Sequence, residues 1–287
     1  MTPTRTLALT ALAMTAFAGN SLLCRIALKH TSLDAASFTA IRLLSGALVL
    51  WLVARRWRGA QSGAGSWPSA LALFAYAAGF SFAYVSLPAA TGALLLFGAV
   101  QATMIGYGLY KGERFRRLQL VGLALAFGGI VGLLLPGLSA PPLAGALLML
   151  GAGVAWGVYS LRGKGAGDPT RVTAGNFLRA VPLALALSLS MLILQGGASL
   201  DAAGVGYAVA SGALTSGLGY ALWYAVLPAL KATTAATVQL SVPVLAALGG
   251  IAFLGEPVTL RLAMASAAIL GGIALVVLQR QIAASAR

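Results

Sequence analysis

The chain has 287 residues, of which 60% are hydrophobic and only 8% charged, and its formal net charge is +14. Soluble globular domains have about 25% charged residues, so this composition excludes an ordinary soluble protein and indicates lipid surroundings. In a soluble protein the positive charge would suggest nucleic acid, but here it marks membrane orientation and no nucleic-acid partner is expected.

Apolar runs recur along the chain between short polar breaks. Each run is long enough to cross a hydrocarbon core of about 30 Å as a helix, with the lipid bilayer as its solvent. The pattern predicts an all-α polytopic membrane protein with ten spans and almost no soluble domain. The predicted spans are residues 6–28, 34–54, 69–86, 90–110, 117–136, 142–161, 171–194, 202–226, 231–254 and 260–279.

The basic residues fall on alternate loops and at the two ends of the chain. One side holds the clusters at 55–58, 111–117 and 162–171, whereas the opposite side holds only Lys29 and Arg261. The positive-inside rule therefore predicts a multi-pass protein of the cell (inner) membrane with both termini in the cytoplasm, which requires an even number of spans.

The two halves of the chain repeat each other. Five spans in each half is an odd number, so the second half enters the membrane from the opposite side. This predicts two inverted five-helix repeats, residues 1–137 and 138–287, around a central cavity that holds the substrate near the midplane. The matching residues are Leu87-Pro88-Ala89 with Leu227-Pro228-Ala229, Gly112-Glu113 with Gly255-Glu256, Gly128-Gly129 with Gly271-Gly272, and Arg25 and Arg42 with Arg162 and Arg179.

These repeated motifs, together with the run "VPVLAALGGIAFLGEP" that contains Pro243, resemble the drug/metabolite transporter superfamily and its ten-span EamA-type branch. The first half lacks the corresponding proline and has Gln101-Ala102-Thr103 there, which is most similar to the YddG-type aromatic amino-acid exporters. The resemblance implies secondary transport out of the cytoplasm, with spans one, four and nine lining the cavity.

Uncharged amides at membrane depth are the first candidates for substrate binding. Gln101 and Gln239 lie near the middle of the equivalent spans four and nine, and Asn20 lies in span one. An amide in hydrocarbon is costly without a partner, which is either a neighbouring helix or a substrate. Because the resemblance places these spans around the cavity, we expect all three side chains to bind substrate.

Aromatic side chains form the second group of candidates. The third span places Tyr76, Phe80 and Tyr84 at i, i+4 and i+8 on one helix face. Such a stripe is commonly core packing, but the two hydroxyls need partners when buried, which favours a cavity wall. Trp156 and Trp223 are added to the site, although a tryptophan near a span end is often an interface anchor. The family's common Trp-Gly pair supports Trp156.

Pro243 is predicted to interrupt the ninth span, either as a hinge that lines the cavity or as a static kink.

The intramembrane charges favour structural roles. Arg42 and Arg179 occupy mirrored positions, and either a substrate carboxylate or neighbouring helix ends can accept their hydrogen bonds; we expect the latter. Glu113 and Glu256 are predicted to be structural, and Glu256, just before Pro257, is expected to cap a helix start.

Ionisable groups that could relay protons are absent from the predicted span interiors. All acids fall in loops or at span ends, and the one histidine, His30, ends span one. Export is therefore predicted to be facilitated and not strongly coupled to protons. With one cysteine, Cys24, no disulfide or cysteine-based metal site is possible within the chain, and no cofactor is expected.

The predicted substrates are small neutral or aromatic amino acids, including methionine or threonine, carried by alternating access. An exporter or channel for another small neutral metabolite is the alternative. An intramembrane enzyme is disfavoured because no histidine accompanies Ser45 or Ser211. The sequence leaves the oligomeric state open, and a monomer is compatible with it.

Overall fold

The computed structural model describes residues 2–56, 64–112, 117–137, 139–163, 167–195, 200–230 and 238–285, without the side chains of residues 195 and 278–285. Every regular element in these ranges is helical, which confirms the all-helical class. A π-helical segment, Ser211–Leu218, lies between α8 and α9, and a 3-10 turn, Leu227–Ala229, follows α9. The α-helices are α1 (Pro3–His30), α2 (Ala35–Arg56), α3 (Trp67–Tyr84), α4 (Ala89–Tyr110), α5 (Arg117–Leu134), α6 (Leu143–Gly163), α7 (Pro169–Gln195), α8 (Ala202–Ala210), α9 (Gly219–Val226), α10 (Ser241–Leu254) and α11 (Leu260–Ser285).

Seven of the described helices are long and apolar enough to cross a membrane: α1, α2, α4, α5, α6, α7 and residues 260–277 of α11. Helix α10 is shorter, at 14 residues, and the π-helical segment divides the eighth predicted span. The helices therefore agree with a protein that crosses the membrane several times, while the number of ten spans stays a prediction.

Helix α10 begins later than the sequence predicts. A turn at Leu240 precedes Ser241, its first residue, and residues 231–237 lie outside the described ranges. Val238 and Gln239 are helical too, so the helix is interrupted at Leu240, three residues before Pro243. A proline removes the backbone hydrogen bond to the carbonyl four residues earlier, which is that of Gln239. The choice between a hinge and a static kink at Pro243 stays a prediction. The described proline inside a helix is Pro182, in α7.

Glycines end two helices with the same backbone conformation. Gly112 follows α4 with a φ of +87°, and Gly255 follows α10 with a φ of +60°. Glycine adopts this left-handed conformation without the steric cost that a Cβ brings, and it allows the last turn of the helix to close. Both glycines belong to the repeated Gly-Glu pairs. Glu113 itself lies outside the described residues, so its structural role stays a prediction.

The most extensive helix–helix contact in the described part of the chain joins α5 to α11. The two helices run antiparallel, because Gly122 lies beside Gly272 whereas Gly129 lies beside Ala265. Small residues at these points let the two backbones approach closely, which is how helices associate where no hydrophobic effect drives them together.

Helix α2 packs along α7 in a similar way. Gly46 faces the ring of Phe177, and the hydroxyls of Ser37 and Ser188 are 3.4 Å apart further along the pair. Residue numbers fall along α2 while they rise along α7 between these two contacts, so this pair is antiparallel too. Helix α3 packs along α6, and α4 packs against both α6 and α10.

A buried ion pair joins four helices at one end of the bundle, which we call the Glu256 end. Arg25 Nε lies 3.3 Å from Glu256 Oε1, and Arg25 Nη1 donates to the carbonyl oxygens of Tyr84 and Val85 where α3 ends. Glu256 Oε2 accepts from the backbone nitrogen of Ala89, the first residue of α4, at 2.8 Å. The pair thus ties α1 and the end of α10 to α3 and α4.

The helix that Glu256 caps differs from the expectation. The sequence predicts a helix start at Pro257, but the backbone is extended until α11 begins at Leu260. Glu256 caps α4 instead, because the left-handed Gly255 turns the chain back toward the start of that helix. A partner 167 residues away is invisible to local capping rules.

A second carboxylate fixes the loops at the same end. Asp201 caps α8 through the backbone N–H of Gly204, at 2.8 Å, and its other oxygen accepts from the backbone N–H of Ser32, also at 2.8 Å. These two donors lower the pKa of the Asp201 carboxyl. The loop between α1 and α2 is thereby held against the start of α8.

The α5–α11 packing predicts that Gly272→Ala destabilises the protein whereas Gly271→Ala does not. A methyl group at 272 would lie against the Gly122 carbonyl and 2.7 Å from the backbone nitrogen of Ala126, but at 271 it would meet nothing within 4 Å. Overpacking costs about 1–3 kcal/mol, and the gain in helix propensity is common to both variants. Thermal unfolding in detergent, followed by tryptophan fluorescence, measures the difference; equal midpoints would contradict this contact.

Breaking the ion pair is expected to cost more. Glu256→Gln leaves Arg25 buried without a counter-charge, and loss of one partner of a buried pair costs about 3–5 kcal/mol. The double variant Arg25→Met with Glu256→Gln is the control, because it removes the stranded charge and should recover part of the loss. A single variant with wild-type thermal stability would show that the pair does not hold this end together.

Candidate functional site

A small cavity lies where α1, α3, α4, α6 and the segment from Ser211 to Tyr220 meet. The volume open to the centre of a water molecule is about 30 Å³, enough for about two waters. The cavity is therefore closed in this structure and must widen to admit an amino acid. Its wall consists of Phe17, Asn20, Ser21, Tyr76, Phe80, Leu96, Phe97, Trp156, Thr215, Ser216, Tyr220 and Gln239.

The structure gathers most of the sequence-predicted binding residues at this cavity. Asn20, Tyr76, Phe80, Trp156 and Gln239 all belong to its wall. The other three predicted residues are buried outside the wall. They are Tyr84, Gln101 and Trp223.

Each of those three residues faces a different environment. The Tyr84 hydroxyl donates to the carbonyl oxygen of Ala89, at 3.3 Å, close to the ion pair. The Trp223 ring packs edge-on against Phe17, with centroids 6.1 Å apart. Gln101 lies one turn beyond Phe97 on α4 and is buried there. A role in direct substrate contact for these three stays a prediction.

Aromatic rings form a continuous series along the cavity. The Trp156 ring stands between Tyr76 and Tyr220, with centroid distances of 4.8 and 5.2 Å. Tyr76 is followed by Phe80 at 5.5 Å, as the spacing of the stripe on α3 predicts. Rings at these distances and tilts attract each other beyond their buried area. The wall therefore offers several aromatic faces to a ligand.

Asn20 is the polar hub of the wall. Its Oδ1 accepts from the hydroxyls of Ser211, at 2.7 Å, and Thr215, at 3.2 Å, while its Nδ2 lies 3.4 Å from the Tyr76 hydroxyl oxygen. One side chain thereby connects α1 to α3 and to the π-helical segment. Its partners in this closed state are protein groups, which a substrate would have to displace.

The π-helical segment is the part of the site that the sequence reading misses. In "SGALTSGL" the hydroxyls of Thr215 and Ser216 reach the wall, while Gly212 lies against the backbone carbonyl of Arg42. π-helical turns are rare and often mark functional sites. The available signal is a cluster of small hydroxyl residues and glycines in an apolar span, of which Ser211 enters the expectations from the sequence only as a possible nucleophile.

Arg42 lies directly behind the cavity wall. It is 1% exposed, its Nε donates to Ser216 Oγ at 3.1 Å, and its Nη2 donates to the Tyr76 hydroxyl at 3.0 Å. The guanidinium carbon lies 4.9 Å from the centroid of the Phe80 ring. Its Nη1 is buried without a hydrogen-bond partner. All three contacting side chains are wall residues.

The mirrored arginine has different surroundings. Arg179 Nη1 donates to the backbone carbonyl oxygens of Ala64 and Gly175, at the end of the bundle where α3 begins. Nearby, Asn176 Oδ1 accepts from the backbone nitrogen of Ser66 at 2.8 Å. Backbone groups therefore surround Arg179, whereas aromatic rings and hydroxyls surround Arg42.

A second depression, an apolar groove of about 770 Å³, lies between α5 and α11. Glycines, alanines and aliphatic side chains line it. The one charged residue, Arg261 at its edge, donates to the backbone carbonyl of Leu135. With almost no polar groups, this groove cannot recognise a polar metabolite, and we assign the candidate site to the smaller cavity.

The chain is similar to known proteins over part or nearly all of its length. Residues 143–278 match the model of the EamA-like transporter family. An uncharacterized protein of Pseudomonas aeruginosa is 60% identical over 277 residues, which cover 96% of this chain and 96% of that protein. An uncharacterized transporter of Archaeoglobus fulgidus is 31% identical over 60% of this chain and 62% of its own length.

More distant relatives include the threonine/homoserine exporter RhtA of Salmonella typhimurium and of Escherichia coli. They are 36% and 35% identical over 123 residues, which cover 41% of this chain and 39% of each exporter. A solved crystal structure covers 95% of this chain and 98% of its own, with a TM-score of 0.64 and 21% sequence identity, so the fold is shared. The part of the chain from residue 143 to residue 278 is thus similar to the EamA-like transporter family.

Proposed function

We propose that this protein is a secondary transporter that exports small neutral or aromatic amino acids by alternating access. The observation that carries the proposal is the closed central cavity, whose wall combines aromatic rings with neutral amides and hydroxyls. Aromatic faces attract the apolar or cationic part of such a ligand, and the amides and hydroxyls bind its polar groups.

The packing of α5 on α11 supports two inverted repeats. The offset of 143 residues that relates Gly129 to Gly272 in the sequence also relates Gly122 to Ala265. Gly129 packs on Ala265 and Gly272 packs on Gly122, so the same contact occurs twice with the halves exchanged. Because the two helices are antiparallel, the exchanged halves point in opposite directions. This is the relation that alternating access uses.

The cavity wall also draws on both halves. Helices α1, α3 and α4 supply residues from the first half, and α6, the segment 211–220 and Gln239 supply residues from the second. A site between the halves changes its opening when one half rocks against the other. We place the Glu256 end outside the cell and both termini in the cytoplasm, in agreement with the basic loops at the other end.

The substrate class rests on two independent supports. The cavity carries aromatic rings, which suit an apolar side chain, and relatives over part of the chain export threonine and homoserine. The narrower likeness to YddG-type exporters favours aromatic amino acids among these. Transport of another neutral metabolite, or passage through a channel, is the alternative that the experiment must separate.

The first test is uptake into proteoliposomes that contain the purified protein. We expect saturable uptake of labelled phenylalanine, tryptophan, methionine, threonine or homoserine, with counterflow and without dependence on an imposed pH gradient. Counterflow separates a carrier from a channel. Uptake that requires the gradient would overturn the uncoupled mechanism, and no uptake of any amino acid would favour another metabolite class.

A matched pair of tryptophans tests the site. Trp156→Leu removes a ring from the cavity wall and is expected to raise the KM about tenfold, since a buried aromatic ring contributes about 1.5–3 kcal/mol and 1.4 kcal/mol is tenfold in affinity. Trp67→Leu is the control, because Trp67 is 56% exposed on the bundle surface. Equal KM values for the two variants would place the substrate elsewhere.

A further inference from the structure

We propose that Arg42 is the receptor for a carboxylate of the transported molecule, so that a negatively charged group is a requirement of the site. This inference rests on the proposed function for the location of the substrate and deepens it. It also revises the structural role that the sequence favours for this residue.

The first support is a buried charge without a counter-charge. Among the described residues, the carboxylates are Asp34, Asp168, Asp201 and Glu256, and the ion pair that they form is Glu256 with Arg25. Arg42 therefore has no carboxylate within 4.0 Å in the described part of the chain. A guanidinium 1% exposed in such surroundings is costly. A ligand carboxylate would supply the missing charge.

The second support is a free donor. An arginine side chain has five N–H donors in a planar fork that matches a carboxylate. Arg42 uses Nε on Ser216 and Nη2 on Tyr76, whereas the buried Nη1 has no hydrogen-bond partner. The two hydrogen bonds hold the guanidinium in place, so the remaining N–H groups have a fixed direction.

The third support is location. Ser216, Tyr76 and Phe80, which contact the guanidinium, are all wall residues of the central cavity. Widening of that cavity moves these side chains and opens a path to Arg42. A carboxylate bound there leaves the rest of the ligand beside the ring of Trp156, which lies 4.8 Å from the Tyr76 ring. Aromatic faces also attract an ammonium group, so a zwitterionic amino acid fits both parts of the site.

The test compares acids with amides in which an uncharged carboxamide replaces the carboxylate. Trp156 provides a fluorescence signal inside the wall, and purified protein is titrated with phenylalanine and phenylalaninamide, then with 3-phenylpropionate and 3-phenylpropionamide. The wild type is expected to bind each acid at least about tenfold more tightly than its amide, because a hydrogen bond to a charged group is lost in the amide.

Arg42→Gln is expected to abolish this preference, with acid and amide affinities within about twofold of each other. Arg179→Gln is the matched control, since Arg179 contacts backbone carbonyls away from the cavity, and it should keep the preference. A purely structural Arg42 would lower stability in the glutamine variant without changing the ratio of acid to amide affinity. A preference that survives in folded Arg42→Gln overturns the proposal.

A second variant covers the case in which Arg42→Gln does not fold. Arg42→Lys keeps the charge but replaces the fork by a point charge, so the preference should remain while acid affinity falls about tenfold. Unchanged acid affinity in Arg42→Lys would contradict donation by the guanidinium.

The outcomes separate this proposal from the proposed function. If no amino acid is transported but phenylpropionate binds in an Arg42-dependent way, the amino-acid function fails and the carboxylate receptor stands. If amino acids are transported but acids and amides bind equally well, the function stands and the receptor fails. A wild type whose fluorescence responds to none of the four ligands, in protein that is folded by its thermal transition, also overturns the receptor.

Discussion

Hydrogen bonding without water is the constraint on which this structure depends. A polar group in a hydrocarbon environment must find its partner inside the protein, and the described part of the chain meets this demand mainly at a few hubs, with the buried Nη1 of Arg42 as an exception. Asn20 joins three elements in the centre, and Arg25 with Glu256 joins four at one end. The helices between these hubs pack through small residues. We expect helices that share a hub to move together, because a polar group separated from its partner finds no water in the lipid to bind.

The candidate site also has few polar groups, and one of them serves two partners. The wall uses the Tyr76 hydroxyl twice, once toward Asn20 and once toward Arg42, so the amide hub and the cation are linked through one ring. If the carboxylate that we propose at Arg42 takes the place of the Tyr76 hydroxyl, the contact of Tyr76 with Asn20 is disturbed too. Binding at Arg42 would then be coupled to the arrangement of α1, α3 and the segment 211–218.

Much of the fold was predictable because lipid imposes a simple rule on sequence. Apolar runs coincide with helices, and the i, i+4, i+8 spacing correctly placed Tyr76 and Phe80 on one buried face. The partners of charged residues were not predictable. Arg42 and Arg179 occupy equivalent positions in the predicted repeat, yet rings surround one and backbone carbonyls the other, since the surroundings come from helices distant in sequence. Glu256 likewise finds its partners 231 and 167 residues away. The π-helical segment depends on packing that no local pattern records.

The π-helical segment has a consequence for how the eighth predicted span can respond to its contents. Neighbouring residues on a helix differ by about 100° in direction, so closing the wider turn to an ordinary α-helical turn would rotate the helix beyond it by about that angle. The number of backbone hydrogen bonds stays nearly constant during such a change. Asp201 anchors α8 to the loop after α1, so α9 is the part that would turn. Tyr220 would then turn away from Trp156 as a unit with the helix, and the cavity could enlarge without the separation of any two spans.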